Sequence, residues 1–176
     1  MLASRIVKMS IVKEDIDINL EVCEPDKLYR AYVGEESWLD MLNSSIDKCN
    51  GVCQGCGYNP PDKNFLEIHI ISGNVNDLET YQYTLLCKTC HTLKHIDVAS
   101  EKGWIKLCNS IFDQKRLISI CRSGTSRLLE KINSGEIMLL KTEATQYSKS
   151  LSEDVFNKRK KIKAIFGKNF PKSRLK

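Results

Sequence analysis

The sequence predicts an α+β fold, and three observations predict it. Two Cys-x-x-Cys pairs, Cys53 with Cys56 and Cys87 with Cys90, bracket a β-branched apolar run at 65–71. Upstream, Ile16, Ile18, Leu20 and Val22 alternate with Asp15, Asp17, Asn19 and Glu21, the period of a half-buried strand. Downstream of Gly103, apolar residues recur three and four apart, the period of a helix face. A chain of 176 residues suits one compact domain or a small domain with appendages. The expected organisation is an N-terminal β/α segment (1–47), a cysteine-bearing module (48–100), a helical segment (101–150) and a basic C-terminal helix and tail (151–176).

Taken in order, residues 5–12 can pair with the alternating strand, and Glu24-Pro25-Asp26 marks a turn. Trp38, Met41 and Leu42 fall three and four apart, so a helix is expected over 35–42, packed on the module that follows. Asn59-Pro60-Pro61-Asp62 reads as a loop, 65–71 as a strand, Ser72-Gly73-Asn74 as the start of a hairpin connection and 81–86 as the return strand. A helix is expected over 89–99. Asp113 is a candidate N-cap for a helix carrying Leu117, Ile118 and Cys121 and ended by Gly124. Thr125 or Ser126 restarts a short helix through Leu128, Leu129 and Ile132 that stops at Gly135. Residues 136–140 fit either a strand or a helix start.

The cysteines carry the chemistry. Two Cys-x-x-Cys pairs with no secretory signal ahead of them point to a reducing compartment and a shared metal, here zinc, rather than to disulfides. Zinc takes four donors in a tetrahedron, and a structural site is closed by four protein ligands, here Cys53, Cys56, Cys87 and Cys90. Each knuckle offers two thiolates from one tight turn, and Gly57 lets the chain leave the first one. Of the remaining cysteines, Cys23, Cys108 and Cys121 read as small buried apolar residues, while the nearness of Cys49 to Cys53 makes it an alternative ligand.

All three histidines lie in this region. His91 and His95 are four apart, so on a helix they share a face. His69, on the intervening strand, is the third donor of an ion set. Taken singly, His91 caps the knuckle and His95 is a solvated helix residue; both readings stay open at this point.

The order Cys-x-x-Cys-Gly, Leu66-Glu-Ile-His69, then Leu86-Cys-x-x-Cys-His91-x-x-x-His95 resembles the zinc-stapled HNH (ββα-metal) nuclease family over about a quarter of the chain. The resemblance implies two strands and a helix holding a catalytic Mg²⁺ or Mn²⁺ beside the scissile phosphate. It also implies a strand histidine as general base and an Asn that orients it. Two departures stand out. The family places two acidic or histidine residues side by side on the strand, whereas here His69 is flanked by Ile68 and Ile70. The orienting Asn is Gln82, with Asn74 and Asn76 too early. A general base is worth about a hundred- to ten-thousand-fold in rate. The expectation is therefore a zinc-stabilised but non-catalytic component of a multi-protein assembly. The alternative is a metal-dependent HNH DNA endonuclease with His69 in the catalytic role. The zinc frame is also similar to that of the HNH-like IcmJ proteins of type IVB secretion coupling complexes, which implies an adaptor role.

The tail differs in composition. Of 27 basic residues, nine lie from Lys158 onward with no acid among them, so the net +5 is +9 there and −4 elsewhere. Val155, Ile162, Ile165 and Phe166 line one face of an expected helix ended by Gly167. Lys158, Arg159, Lys160, Lys161 and Lys163 are the expected contacts to DNA, RNA or an acidic protein surface. No apolar run approaches the roughly 20 residues of a membrane span. The N-terminus lacks the pattern of a secretory signal, so a cytoplasmic location is expected.

Overall fold

A computed structural model describes residues 10–11, 30–31, 33–71, 82–141 and 162–175. The fold is mixed α and β. The chain divides into two compact units, Met1–Glu14 with Cys23–Cys87, and Asp15–Val22 with Lys88–Lys176. The expected strand over 15–22 and the first part of the tail, including Lys158, Arg159, Lys160 and Lys161, lie outside the described residues.

In the first unit, strands β1 (Ser10–Ile11), β2 (Leu66–Ile70) and β3 (Gln82–Cys87) form a sheet in the order β1-β3-β2. β2 and β3 pair antiparallel, with His69 opposite Thr84 and Ile70 opposite Tyr83, and β1 runs parallel to β3. Helix α1 (Glu35–Lys48) supplies Trp38 to a core with Ile68, Ile70 and Tyr83, flanked by Val33, Met41 and Leu42. The period-2 strand thus commits Ile68 and Ile70 to the core. α1 is longer than the apolar periodicity of 35–42 indicates. Its second half holds polar Ser45, which is buried because its hydroxyl donates to the Met41 carbonyl and meets the Tyr83 hydroxyl. The chain leaves the helix through Asn50 and Gly51, both at positive φ.

In the second unit, α2 (Lys88–Lys94) and α3 (Ile96–Glu101) lead into β4 (Ile105–Ser110). Helices α4 (Gln114–Arg122) and α5 (Thr125–Asn133) follow, then β5 (Ile137–Leu139), β6 (Ile162–Phe166) and a short α6 (Lys172–Leu175). The sheet order is β5-β4-β6, all antiparallel. Asp113 caps α4 as its position in the sequence indicates, its carboxylate accepting from the Arg116 N–H at 2.7 Å.

Three expected helices differ. The helix over 89–99 is two helices broken at His95, whose ψ of 60° takes it out of the helical region while its carbonyl starts α3 by accepting from the Ala99 N–H. The segment after Gly103 is a strand first: Ile105 and Leu107 are buried and Lys106 exposed, and β4 is the central strand, paired on both sides. The basic C-terminal helix is replaced over 162–166 by β6. The spacing of Ile162, Ile165 and Phe166 fits a helix face, but pairing with β4 buries Ala164, Ile165 and Phe166 consecutively, so tertiary pairing overrides local periodicity. Residues 136–140, readable either way, contain β5.

The outer edge of β6 is closed by a side chain. The Gln114 amide, 3% exposed, donates to the Ala164 carbonyl at 2.9 Å and accepts from the Ala164 N–H at 3.0 Å, imitating a neighbouring strand. Gly167 permits the approach of two loops: its N–H reaches the Trp104 carbonyl at 2.7 Å, and a Cβ there would sit 3.0 Å from the Gly103 carbonyl oxygen. Among the described residues, no helix is long and apolar enough to cross a membrane.

Candidate metal centre

The first knuckle is a turn closed by the Cys53 N–H donating to the Tyr58 carbonyl at 2.8 Å and the Gly57 N–H donating to the Cys53 carbonyl at 2.9 Å. Gly57 has φ +76°, where an L side chain is strained, although a Cβ there would meet no atom within 4 Å. The Gln54 N–H bonds the Leu85 carbonyl at 2.8 Å and ties the knuckle to β3. The second knuckle forms because β3 ends at Cys87 and α2 starts at Lys88, so a single helical turn carries the chain to Cys90.

The ligand atoms of Cys53, Cys56, Cys87 and Cys90 all lie within 4.8 Å of one another, a set that could hold a metal ion. The Cys56 and Cys87 sulfurs are 3.8 Å apart, which matches the edge of a tetrahedron with metal–sulfur bonds of about 2.3 Å. The Cys87 backbone N–H donates to Cys53 Sγ at 3.2 Å, so the second knuckle is tied to the first at the sulfur. Cys53, Cys87 and Cys90 are buried and Cys56 half-buried. Such a site is closed on all four sides by protein sulfur.

The other described cysteines stand apart. Cys49 caps the C-terminus of α1 and does not join the cluster, so the alternative-ligand reading of this residue is not supported. Burial pushes the Cys108 thiol up to about 12, with Cys121 adding to the effect, and burial also raises the Cys121 thiol. Both are neutral side chains of the second core, as their sequence context indicates.

The histidines form a second set. One nitrogen from each of His69, His91 and His95 falls within 4.8 Å of the others, and the Nε2 atoms of His91 and His95 are 3.0 Å apart. The two rings meet edge to face with centroids 4.8 Å apart, a geometry achieved although His95 lies beyond the end of α2. His69 is buried and the other two are half-buried, so this set is more open than the cysteines. Among the described residues no carboxylate or further imidazole joins it. Ile68 and Ile70, the neighbours of His69 on β2, are each 1% exposed within the apolar core. Gln82 begins β3 and is exposed, whereas Asn74 and Asn76 lie outside the described residues.

Lys163, assigned to the basic helix, is half-buried on β6. Two features escaped the sequence reading. Thr84, cross-strand from His69, has a fully buried hydroxyl with no hydrogen-bond partner among the described residues, and nothing in the local pattern marks it. Trp104 joins its near neighbour Lys102 to Phe170 and Arg174 from a distant segment, and only the tertiary structure brings those last two to it. Comparison with family models and with curated proteins returns no match for the chain.

Proposed function

We propose that the protein is a zinc-stapled, HNH-like module that keeps the ion-binding frame of a ββα-metal domain without its hydrolytic apparatus and serves as a non-catalytic component of a protein assembly. The antiparallel β2–β3 pair followed by α2 supports the likeness, together with the two knuckles and the histidines on β2 and around α2. Four sulfur donors at tetrahedral spacing suit Zn²⁺, which binds thiolates well and has no redox chemistry of its own. When bound, zinc supplies folding energy, and the four cysteines are the residues that would hold it.

One observation carries the non-catalytic reading. With His69 in the metal position, the resemblance puts the base at Ile70; with His69 as the base, it puts the metal ligand at Ile68; both isoleucines are committed to the core with Trp38 and Tyr83. Neither side chain can accept a proton from water.

The 3.0 Å approach of His91 to His95 favours a second reading, an HNH endonuclease in which three histidines hold Mg²⁺, Mn²⁺ or a second Zn²⁺. A three-histidine ion lowers the pKa of its bound water, and that removes part of the need for a base. Plasmid nicking in Mg²⁺, Mn²⁺, Ni²⁺ and Zn²⁺ separates the two. The adaptor reading expects intact supercoiled DNA in all four. Nicking that disappears in His69→Ala overturns it.

A further inference from the structure

The second unit carries an aromatic and basic surface that neither metal set uses. Trp104, between α3 and β4, is half-exposed. Lys102 Nζ lies 4.6 Å from its ring centroid and the Arg174 guanidinium carbon 5.8 Å away. Beneath the exposed ring the aromatics continue inward: Phe170 meets Trp104 edge to face at 6.2 Å, and Phe166 packs on Phe170 at 4.3 Å. Phe166 and Phe170 are each 7% exposed, so the outermost ring rests on a fixed base. The Gly167 approach to Gly103 and Trp104 joins the two loops, and the Thr89 hydroxyl donating to the Arg174 carbonyl at 2.6 Å ties α6 to α2. Lys168 and Lys172 are exposed on the same short segment as Phe170 and Arg174 and make no ion pair among the described residues.

We propose that Trp104, with Lys102 over its ring and the exposed Lys168 and Lys172 on the segment that carries Phe170, is a binding site for single-stranded nucleic acid. A half-exposed indole on a rigid aromatic base is a stacking platform for a nucleobase, and each stacked base is worth about 1–3 kcal/mol. Lys102 at the ring and the exposed lysines of the Phe170 segment supply phosphate contacts without reading sequence. A duplex hides its base faces and can use only the charge. The site therefore discriminates by strandedness, and it places the nucleic-acid contact of the tail at Lys168 and Lys172. It stands independently of whether the three histidines hold an ion.

The chain has two tryptophans, and Trp38 is buried in the first unit. Titrating the full-length protein with an oligothymidylate at low salt is expected to quench Trp104 fluorescence. Trp104→Phe is expected to abolish the quenching, leave the Trp38 signal, and weaken binding of a labelled oligonucleotide about tenfold, as loss of part of a stacking contact implies. Lys168→Glu with Lys172→Glu, both at exposed positions, is expected to make the salt dependence shallower by about 1.4 in log–log slope, two phosphate contacts at single-strand density. A duplex of matching length and inorganic polyphosphate are expected to leave Trp104 unquenched. Absence of quenching by the oligothymidylate, or equal quenching by polyphosphate, overturns the proposal. Trp104→Phe circular dichroism matching the parent separates lost binding from lost folding.

Discussion

The two candidate ion sets are built from the same short region and differ in almost every physical respect. The cysteine set has four donors of one kind, three of them buried, and a backbone N–H directed at Cys53 Sγ. Its donors come from two tight turns whose geometry is local. The histidine set has three donors, two half-buried, drawn from a strand, from a short helix and from the break that ends that helix. A closed tetrahedron of sulfur holds a fold together, whereas an open set of imidazoles leaves a position for an exogenous ligand. The difference teaches that neighbouring donor sets in one short region can suit different tasks, one closed and one open.

The comparison breaks first at the cysteines. Cys87→Ser removes a candidate ligand that also ends β3, and structural zinc contributes about 10–16 kcal/mol to small zinc-dependent folds. The variant, or the parent treated with a strong chelator, is expected to lose its cooperative thermal transition by circular dichroism; a transition within a few degrees of the parent would show that the fold stands without metal. The histidine set is expected to matter much less. An ion at a hundredfold excess over its dissociation constant stabilises the folded state by about 2.7 kcal/mol. His91→Ala is therefore expected to keep the parent's melting temperature in metal-free buffer and to lose only the increment that added Mn²⁺ or Zn²⁺ gives. Calorimetry with and without added ion reads this directly.

Smaller effects sharpen the contrast with the β5-β4-β6 sheet and α4, which contain none of the four clustered cysteines. Replacing Gln114 with Leu leaves the Ala164 N–H and carbonyl without their partners. A buried polar group so exposed to unsatisfied burial costs about 1–3 kcal/mol, seen as a lower denaturant midpoint with unchanged slope. Asp113→Ala removes the α4 cap and is expected to cost about 1 kcal/mol in the same measurement. Cys108 gives a pH signature. Its folded pKa of about 12 lies above the ordinary 9.0, so the folded state holds its proton longer than the unfolded chain. Its contribution is complete below pH 9 and is lost as pH rises from there towards 12. Cys108→Ala is expected to flatten that part of the stability profile; an unchanged slope would mean the thiol is not buried.

What the sequence shows and what it hides follow the range of the interactions. The two knuckles, the β2–β3 hairpin, the Asp113 cap and the breaks at Gly124 and Gly135 are local, and each is written in a few adjacent residues. β4 and β6 are strands because they pair with each other across more than 50 residues, so their own periodicity, which favours a helix in β6, is overridden. The convergence of His91 and His95 was readable from their spacing, although the continuous helix that suggested it is interrupted at His95. The Trp104 surface and the Gln114 clamp join residues that no local pattern connects. The candidate site was thus legible where the chain makes it from turns, and hidden where the fold makes it from distant loops.

Native mass spectrometry of the purified protein tests the central claim most directly, since it weighs the chain and any ion that the thiolates hold. The expected mass is the polypeptide plus one zinc with the corresponding protons lost, falling to the bare chain in Cys53→Ser and unchanged in Cys49→Ser. A bare-chain mass for the parent, or a bound ion that survives loss of Cys53, would contradict the four-thiolate centre on which the account rests.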